Sequence, residues 1–299
     1  MTGDTTDVGL ALGVEPGTGG GGHPQPGAGI GIASAPNLRD VGGWPTRDGA
    51  RVVRGALYRS TDLSRLTGPD VPALAGLGIR SVFDLRTAGE RDAAPDLLPP
   101  GVVYHPLDVL ADSTMAVPAN LMALLADPPA ATEVLTGARV RGLFDSAYRE
   151  IVGLPSALTS YGAMFAGLAD AAGRPALVHC TTGKDRTGWA VAALLLLVGV
   201  PHDDVMAEYL VTNDLLLPAL QPMFDQFRDA GGDPSVLVPV FGVDPDYLTA
   251  GLEEMTSRFG SIEGYFSDGL GLDALTVDRL RQAFTTPADG AGPAPAALP

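Results

Sequence analysis

A short apolar run, Pro175 to Val178, enters the segment His179-Cys180-Thr181-Thr182-Gly183-Lys184-Asp185-Arg186-Thr187-Gly188, and a long apolar run, Trp189 to Val200, leaves it. A brief apolar stretch, a polar stretch with two glycines and a stretch apolar on every side read as strand, tight loop and buried helix. That order constrains the fold strongly. A strand buried on both faces that feeds a buried helix needs layers above and below it. The expected fold is therefore a single α/β domain, a mostly parallel central sheet flanked by helices on both faces, with the loop at its carboxyl edge. The chain has one cysteine and one lysine, and both, Cys180 and Lys184, fall in this loop. The other 18 of the 19 basic residues are arginine, so the retained lysine suggests a place where a guanidinium does not substitute.

Five residues separate Cys180 from Arg186. A loop of that length can turn its backbone N–H groups inward around one tetrahedral oxyanion, and the helix that begins near Arg186 adds its positive end to the same cradle. Thr181, Thr182, Gly183, Lys184, Thr187 and Gly188 would line it. Arg186 can hold two oxygens of a phosphoryl group in its planar fork while Cys180 faces phosphorus. Inward amides, a helix N-terminus and two cations favour the thiolate, which is then a nucleophile at neutral pH. Thr187 has a hydroxyl that can be offered to that sulfur. A nucleotide-binding loop of the G-x4-G-K-[ST] kind is excluded: Val178 stands in place of its first glycine and Asp185 in place of its magnesium-binding hydroxyl.

His179 to Gly188 resembles the Cys-x5-Arg signature loop of the protein tyrosine phosphatase superfamily. The string His-Cys-x-x-Gly-Lys-Asp-Arg-Thr-Gly resembles its bacterial branch, which includes a secreted mycobacterial tyrosine phosphatase. The resemblance runs discontinuously from about Asn37 to about Arg281. It implies phosphomonoester hydrolysis through a cysteinyl phosphate, with no cofactor and no metal. His105 and His202 stand alone, which fits a site without metal. The implied partners are a phosphotyrosine-containing protein or, because a lysine in this loop engages extra ring phosphates in some members, a phosphoinositide; broad specificity is expected, phosphotyrosine first, with phosphoinositide and phosphoserine after it. A phosphoprotein reader without catalysis is the alternative of another class, although its usual marker, loss of the nucleophile or of the arginine, is absent.

The chemistry needs a proton donor for the leaving oxygen. There is no Trp-Pro-Asp loop, since Trp44-Pro45 is followed by Thr46. By resemblance Asp108, just past the strand Val102 to Asp108, matches the donor's place, and Asp185 inside the loop competes with it. Asn37-Leu-Arg39-Asp40 and the stretch Gly55 to Ser64 resemble segments that buttress the active-site floor, so Arg39, Arg59 and His179 are expected behind the cradle. Ion pairing unconnected with the site is the other reading of both arginines. Arg51 to Tyr58 and Ile79 to Arg86 read as strands, Pro69 to Leu77 as a short helix. Thr87 with Glu90 three residues on forms a capping box. Helical spacing over Val140 to Val152 and Ser156 to Ala172 predicts two amphipathic helices behind the Cys180 strand, and residues 203–230 and 245–283 read as further helices. Asp204, Glu208 and Tyr209 fall on the first of these and read as structural.

Residues 1–33 and 286–299 are rich in Gly, Pro and Ala and are expected to be disordered, leaving 34–285 as the folded domain. Within it, 111–139 is an insertion for which the resemblance implies a mobile helical lid, an ordinary surface hairpin being the alternative. Thirty-five acidic against 19 basic residues, a net charge of −16, argue against nucleic acid and anionic membrane as partners. No apolar run reaches membrane-spanning length. A start without a basic region argues against a standard secretory leader, so cytoplasmic residence is the expectation; export without a cleaved signal would leave no trace.

Overall fold

The computed structural model describes residues 25–114, 125–135 and 137–286. The strands are β1 (Arg39–Asp40), β2 (Arg51–Val52), β3 (Leu57–Ser60), β4 (Ser81–Asp84), β5 (Val103–Pro106), β6 (Ala176–His179) and β7 (Thr285–Thr286). The helices are α1 (Asp70–Ala75), α2 (Ala88–Ala93), α3 (Pro128–Val134), α4 (Gly137–Gly153), α5 (Pro155–Ala169), α6 (Asp185–Leu197), α7 (His202–Leu216), α8 (Gln221–Asp229), α9 (Val238–Phe241), α10 (Pro245–Phe259), α11 (Ile262–Gly264) and α12 (Ala274–Phe284).

The main sheet has the order β1-β3-β6-β4-β5, and every pairing in it is parallel except β1 with β3. β6 is central. Its register sets Ala176 beside Leu57 and Ser81, and His179 beside Ser60 and Asp84, so three strands end abreast and the loop after His179 emerges between the loops after Ser60 and Asp84. Side chains alternate across a strand. Leu57, Phe83, Ala176 and Val178 accordingly feed the large core under α4, α5, α6, α7, α10 and α12. Tyr58, Val82 and Leu177 feed a smaller one. That second face is covered by Leu74 of α1 and by loop residues such as Ile32, Leu38, Leu63 and Leu66. The expected helices on both faces are thus unequal, with one short helix on the thin side.

The helix after the loop, α6, is buried all round as its composition predicts. Trp189 on it is fully buried and donates its indole N–H to Tyr265 Oη at 2.9 Å. A third cluster joins α3 and the start of α4 to α8 and α9: Ala131, Leu135, Val140, Phe224, Phe227, Leu237 and Val240.

Two expectations change, and a third falls partly outside the described residues. Arg51 to Tyr58 is two strands, because Gly55 turns the chain with φ +69° and β2 leaves to pair with β7 near the C-terminus. Residues 25–33, expected in a disordered tail, are part of the fold: Ile30 N–H bonds Leu38 O at 3.0 Å and Ile32 is buried, because an apolar pair there covers the thin face of the sheet; the rest of that tail, 1–24, lies outside the described residues. The lid expectation over 111–139 falls partly on 115–124 and 136, outside the described residues; of the part described, α3 packs into the third cluster.

Candidate active site

The loop from Cys180 to Arg186 is shaped from outside. Asn37 Nδ2 donates to Thr182 O and Gly183 O, both at 3.1 Å, and Arg59 Nη2 donates to Gly183 O at 2.6 Å. In a planar trans peptide the N–H points opposite to the C=O. Drawing those carbonyls toward Asn37 and Arg59 therefore turns the amides of Gly183 and Lys184 the other way, into the loop. Gly183 has φ +66°, and a Cβ there would lie 2.0 Å from Ser60 O, so both the turn and the close approach to β3 need glycine.

Behind these donors lies a charged floor. Glu208 of α7 accepts from Arg39 Nε at 2.8 Å and from Arg59 Nη1 at 2.6 Å, all three side chains being buried. Arg39 also reaches Glu208 O, Thr212 Oγ1 and Asn37 Oδ1. Burial lowers the Arg39 guanidinium to about 10, with Arg59 adding to the fall and Glu208 opposing it. Burial by itself would raise the Glu208 carboxyl, but its two arginines hold it below its ordinary value. Of the two arginines expected behind the cradle, Arg59 touches the loop directly at Gly183 O, and Arg39 reaches it through Asn37 and Glu208. Glu208, read from sequence as merely structural, is the carboxylate that holds both, and only its helical register opposite two basic strands could have signalled this.

Cys180 is 2% exposed at the end of β6. His179 before it places Nδ1 3.1 Å from Cys180 O and Nε2 3.0 Å from Asp96 Oδ2. Asp84, Asp96 and His179 bring three ligand-type atoms within 4.8 Å of one another. The space is already claimed by a cation, since Arg86 Nη2 lies 2.7 Å from Asp84 Oδ2 and 2.9 Å from Asp96 Oδ2. The donor set thus fits a guanidinium rather than a metal ion.

Arg186, in the first turn of α6, is gripped by Glu90. Nη1 lies 2.7 Å from Oε2 and Nη2 lies 2.8 Å from Oε1, while Leu85 O accepts from Nη1 at 3.2 Å. Among the described residues no acceptor meets Arg186 Nε, and Nη2 has only a 3.5 Å contact with Thr181 Oγ1 besides Glu90. The Nε–Nη2 edge is therefore the fork left for an oxyanion. Burial would lower the Arg186 guanidinium; Glu90's hydrogen bonds, then the charges of Cys180 and Glu90, reverse this and raise it. Burial would likewise raise Glu90, but Arg186, Thr181 and the Thr87 N–H hold it well below the carboxylate range. The capping box at Thr87 is complete, and the same Glu90 carboxylate closes it and clamps Arg186. Sequence reasoning found the cap and missed the clamp.

Asp108 accepts from Ala88 N–H at 3.0 Å, at the start of the helix that carries Glu90, and from Leu110 N–H at 3.1 Å. That contact ties it to the side of the cradle where Arg186 lies. Asp185 faces another wall: its Oδ1 accepts from Tyr148 Oη at 3.1 Å and lies 3.5 Å from Lys184 Nζ. Lys184, expected to face substrate, instead donates to Val240 O at 2.7 Å and Gly242 O at 2.9 Å. Thr181 donates to Glu90 at 2.6 Å, and Gly188 packs its bare Cα against the Tyr209 ring. The Thr187 hydroxyl is buried and makes no hydrogen bond among the described residues, Cys180 Sγ included; the carbonyl four residues back, Gly183 O, is already taken by Asn37 and Arg59.

The profile of the tyrosine phosphatase family matches residues 30–286. The chain belongs to that family. The phosphatase is 32% identical over 244 residues to a Cupriavidus necator protein that carries the name tyrosine-protein phosphatase, covering 81% of this chain and 84% of that one. It is 32% identical over 275 residues to the triple specificity protein phosphatase PtpB of Mycobacterium tuberculosis, covering 84% of this chain and 96% of that one. A tyrosine-protein phosphatase of Nostoc commune is 30% identical over 236 residues, covering 76% and 73%. Among the described residues of the phosphatase no single helix is long and apolar enough to cross a membrane.

Proposed function

We propose that the phosphatase hydrolyses phosphotyrosine in proteins through a cysteinyl-phosphate intermediate. The Cys180 thiolate attacks phosphorus, the phosphorus–oxygen bond to the tyrosine breaks, and Asp108 gives its proton to the departing oxygen. Water then attacks phosphorus, Asp108 takes its proton and the sulfur–phosphorus bond breaks. The loop amides and the Nε–Nη2 edge of Arg186 stabilise the equatorial oxygens. The Thr187 hydroxyl, with no other partner among the described residues, stabilises the sulfur as it leaves. Asp108 is preferred to Asp185 for its place: Ala88 N–H ties it to the side of the cradle where Arg186 lies, whereas Asp185 meets Tyr148 and Lys184 on another wall.

One observation carries this reading. Asn37 and Arg59 draw the loop carbonyls outward, which leaves the amides facing the side of Cys180 and Arg186. The phosphoinositide reading rests on Lys184 meeting a second phosphate, and its ammonium is engaged elsewhere.

Cys180→Ser is expected to abolish release of phosphate from a phosphotyrosine peptide while retaining affinity for inorganic phosphate. Iodoacetamide is expected to inactivate the unmodified protein at pH 6, with phosphate protecting it. Turnover surviving in Cys180→Ser, or a thiol inert to alkylation, would overturn the mechanism. Peptide binding without any turnover by the intact protein would make it a reader.

A further inference from the structure

Lys184 is the chain's single lysine, and the structure accounts for its retention. Its side chain is 5% exposed. The ammonium has three hydrogens and three oxygens within reach: Val240 O at 2.7 Å, Gly242 O at 2.9 Å and, as an ion pair, Asp185 Oδ1 at 3.5 Å. The Phe144 ring lies beneath it, 4.1 Å from the nitrogen. Tyr148, one turn further along α4, holds Asp185 through its hydroxyl and meets Tyr209 at 2.5 Å. Two neighbouring loop residues are thus held by side chains four apart on one helix, the spacing that puts both on one face.

Val240 and Phe144 also belong to the third apolar cluster, so the ammonium is a polar bolt between that cluster and the loop. An ammonium can aim its three donors at three separate acceptors, whereas a guanidinium presents its donors in one plane. Burial pushes the Lys184 ammonium down, and Asp185 and Cys180 pull against that fall.

We infer that Lys184 is a positioning residue, which sets the curvature of the phosphate cradle by fastening it to Phe144 and the Val240–Gly242 carbonyls, and that it takes no part in recognising a second phosphate. The inference rests on the phosphatase reading of the loop.

Kinetics and spectroscopy test it separately. Lys184→Met is expected to lower kcat/KM for a phosphotyrosine peptide by about tenfold or more. The same factor is expected for inositol lipids bearing one or two ring phosphates, whatever their absolute rates. Lys184→Arg is expected to behave like Lys184→Met. A loss at least tenfold greater for the doubly phosphorylated lipid, or unchanged activity on every substrate, would overturn the inference.

Labelling with 15N-lysine yields one Nζ resonance, which reads the site without activity or substitution. Slow exchange of its hydrogens is expected. In Cys180→Ser the resonance is expected to move no further with a bisphosphorylated inositol headgroup than with inorganic phosphate. A fast-exchanging signal that shifts only with the second phosphate would assign Lys184 to substrate. Should the intact protein hydrolyse none of these compounds, the proposed activity fails while the resonance still decides where the ammonium lies.

Discussion

Glu90 meets Arg186 edge to edge, with 2.7 Å and 2.8 Å between the paired atoms, and so determines which edge of the guanidinium faces the cradle. The pair joins two elements distant in sequence, the capping box of α2 and the first turn of α6. A fork that must meet a transition state gains from being oriented before substrate arrives.

Glu90→Ala should therefore lower kcat/KM by about 10- to 100-fold, since a misplacement of about 1 Å is enough to cost that much. Glu90→Gln keeps a hydrogen-bonding partner for Arg186 and should fall between the two. Steady-state kinetics on a phosphotyrosine peptide decide it; an unchanged kcat in Glu90→Ala would reduce the pair to a structural contact.

Asp108→Asn should lower kcat by about 100- to 1000-fold on a phosphotyrosine peptide, where the leaving oxygen needs a proton. The loss should shrink for p-nitrophenyl phosphate, whose leaving group departs unprotonated. Asp185→Asn disturbs Tyr148 and Lys184 instead and should affect both substrates alike. The reverse pattern would assign the proton to Asp185.

Glu208 neutralises two buried guanidinium groups, and its removal leaves both unpaired. Glu208→Ala should destabilise the fold by about 3–5 kcal/mol, the range for breaking a buried pair from one side. Urea unfolding measures it. A change below about 1 kcal/mol would mean that water or another carboxylate replaces Glu208.

Burial by itself would raise the Asp84 carboxyl, but hydrogen bonds from Arg86, the charge of His179 and the Tyr104 hydroxyl bring it down to about 2. A carboxyl depressed on folding contributes stability above its unfolded value of about 4, and that contribution is lost as the pH falls toward 2. It is on the order of 2 kcal/mol. Wild type should lose that amount relative to Asp84→Asn between pH 4 and pH 2, read from denaturant midpoints at each pH. Parallel curves would rule out Asp84 as the source.

The strand-loop-helix order around Cys180 was legible because its signals are local: an apolar run of strand length, two glycines at fixed offsets and a helix apolar all round. The Thr87–Glu90 cap was legible for the same reason, since its partners stand three residues apart. What the clamp on Arg186 needed was not local. Glu90 and Arg186 are 96 residues apart, and only the parallel register of β4 and β6 brings the loops after them together. The same applies to Glu208, which lies 149 residues from Arg59.

By itself the sequence determined the α/β class and singled out Cys180 and Arg186, the proposed nucleophile and its arginine, because periodicity and spacing carry these along the chain. The tertiary structure decided which way each long side chain points. Lys184 follows from its residue type equally well as a phosphate ligand or as a bolt. The carbonyls of Val240 and Gly242 settle its direction, since a buried ammonium takes the acceptors that packing brings within reach.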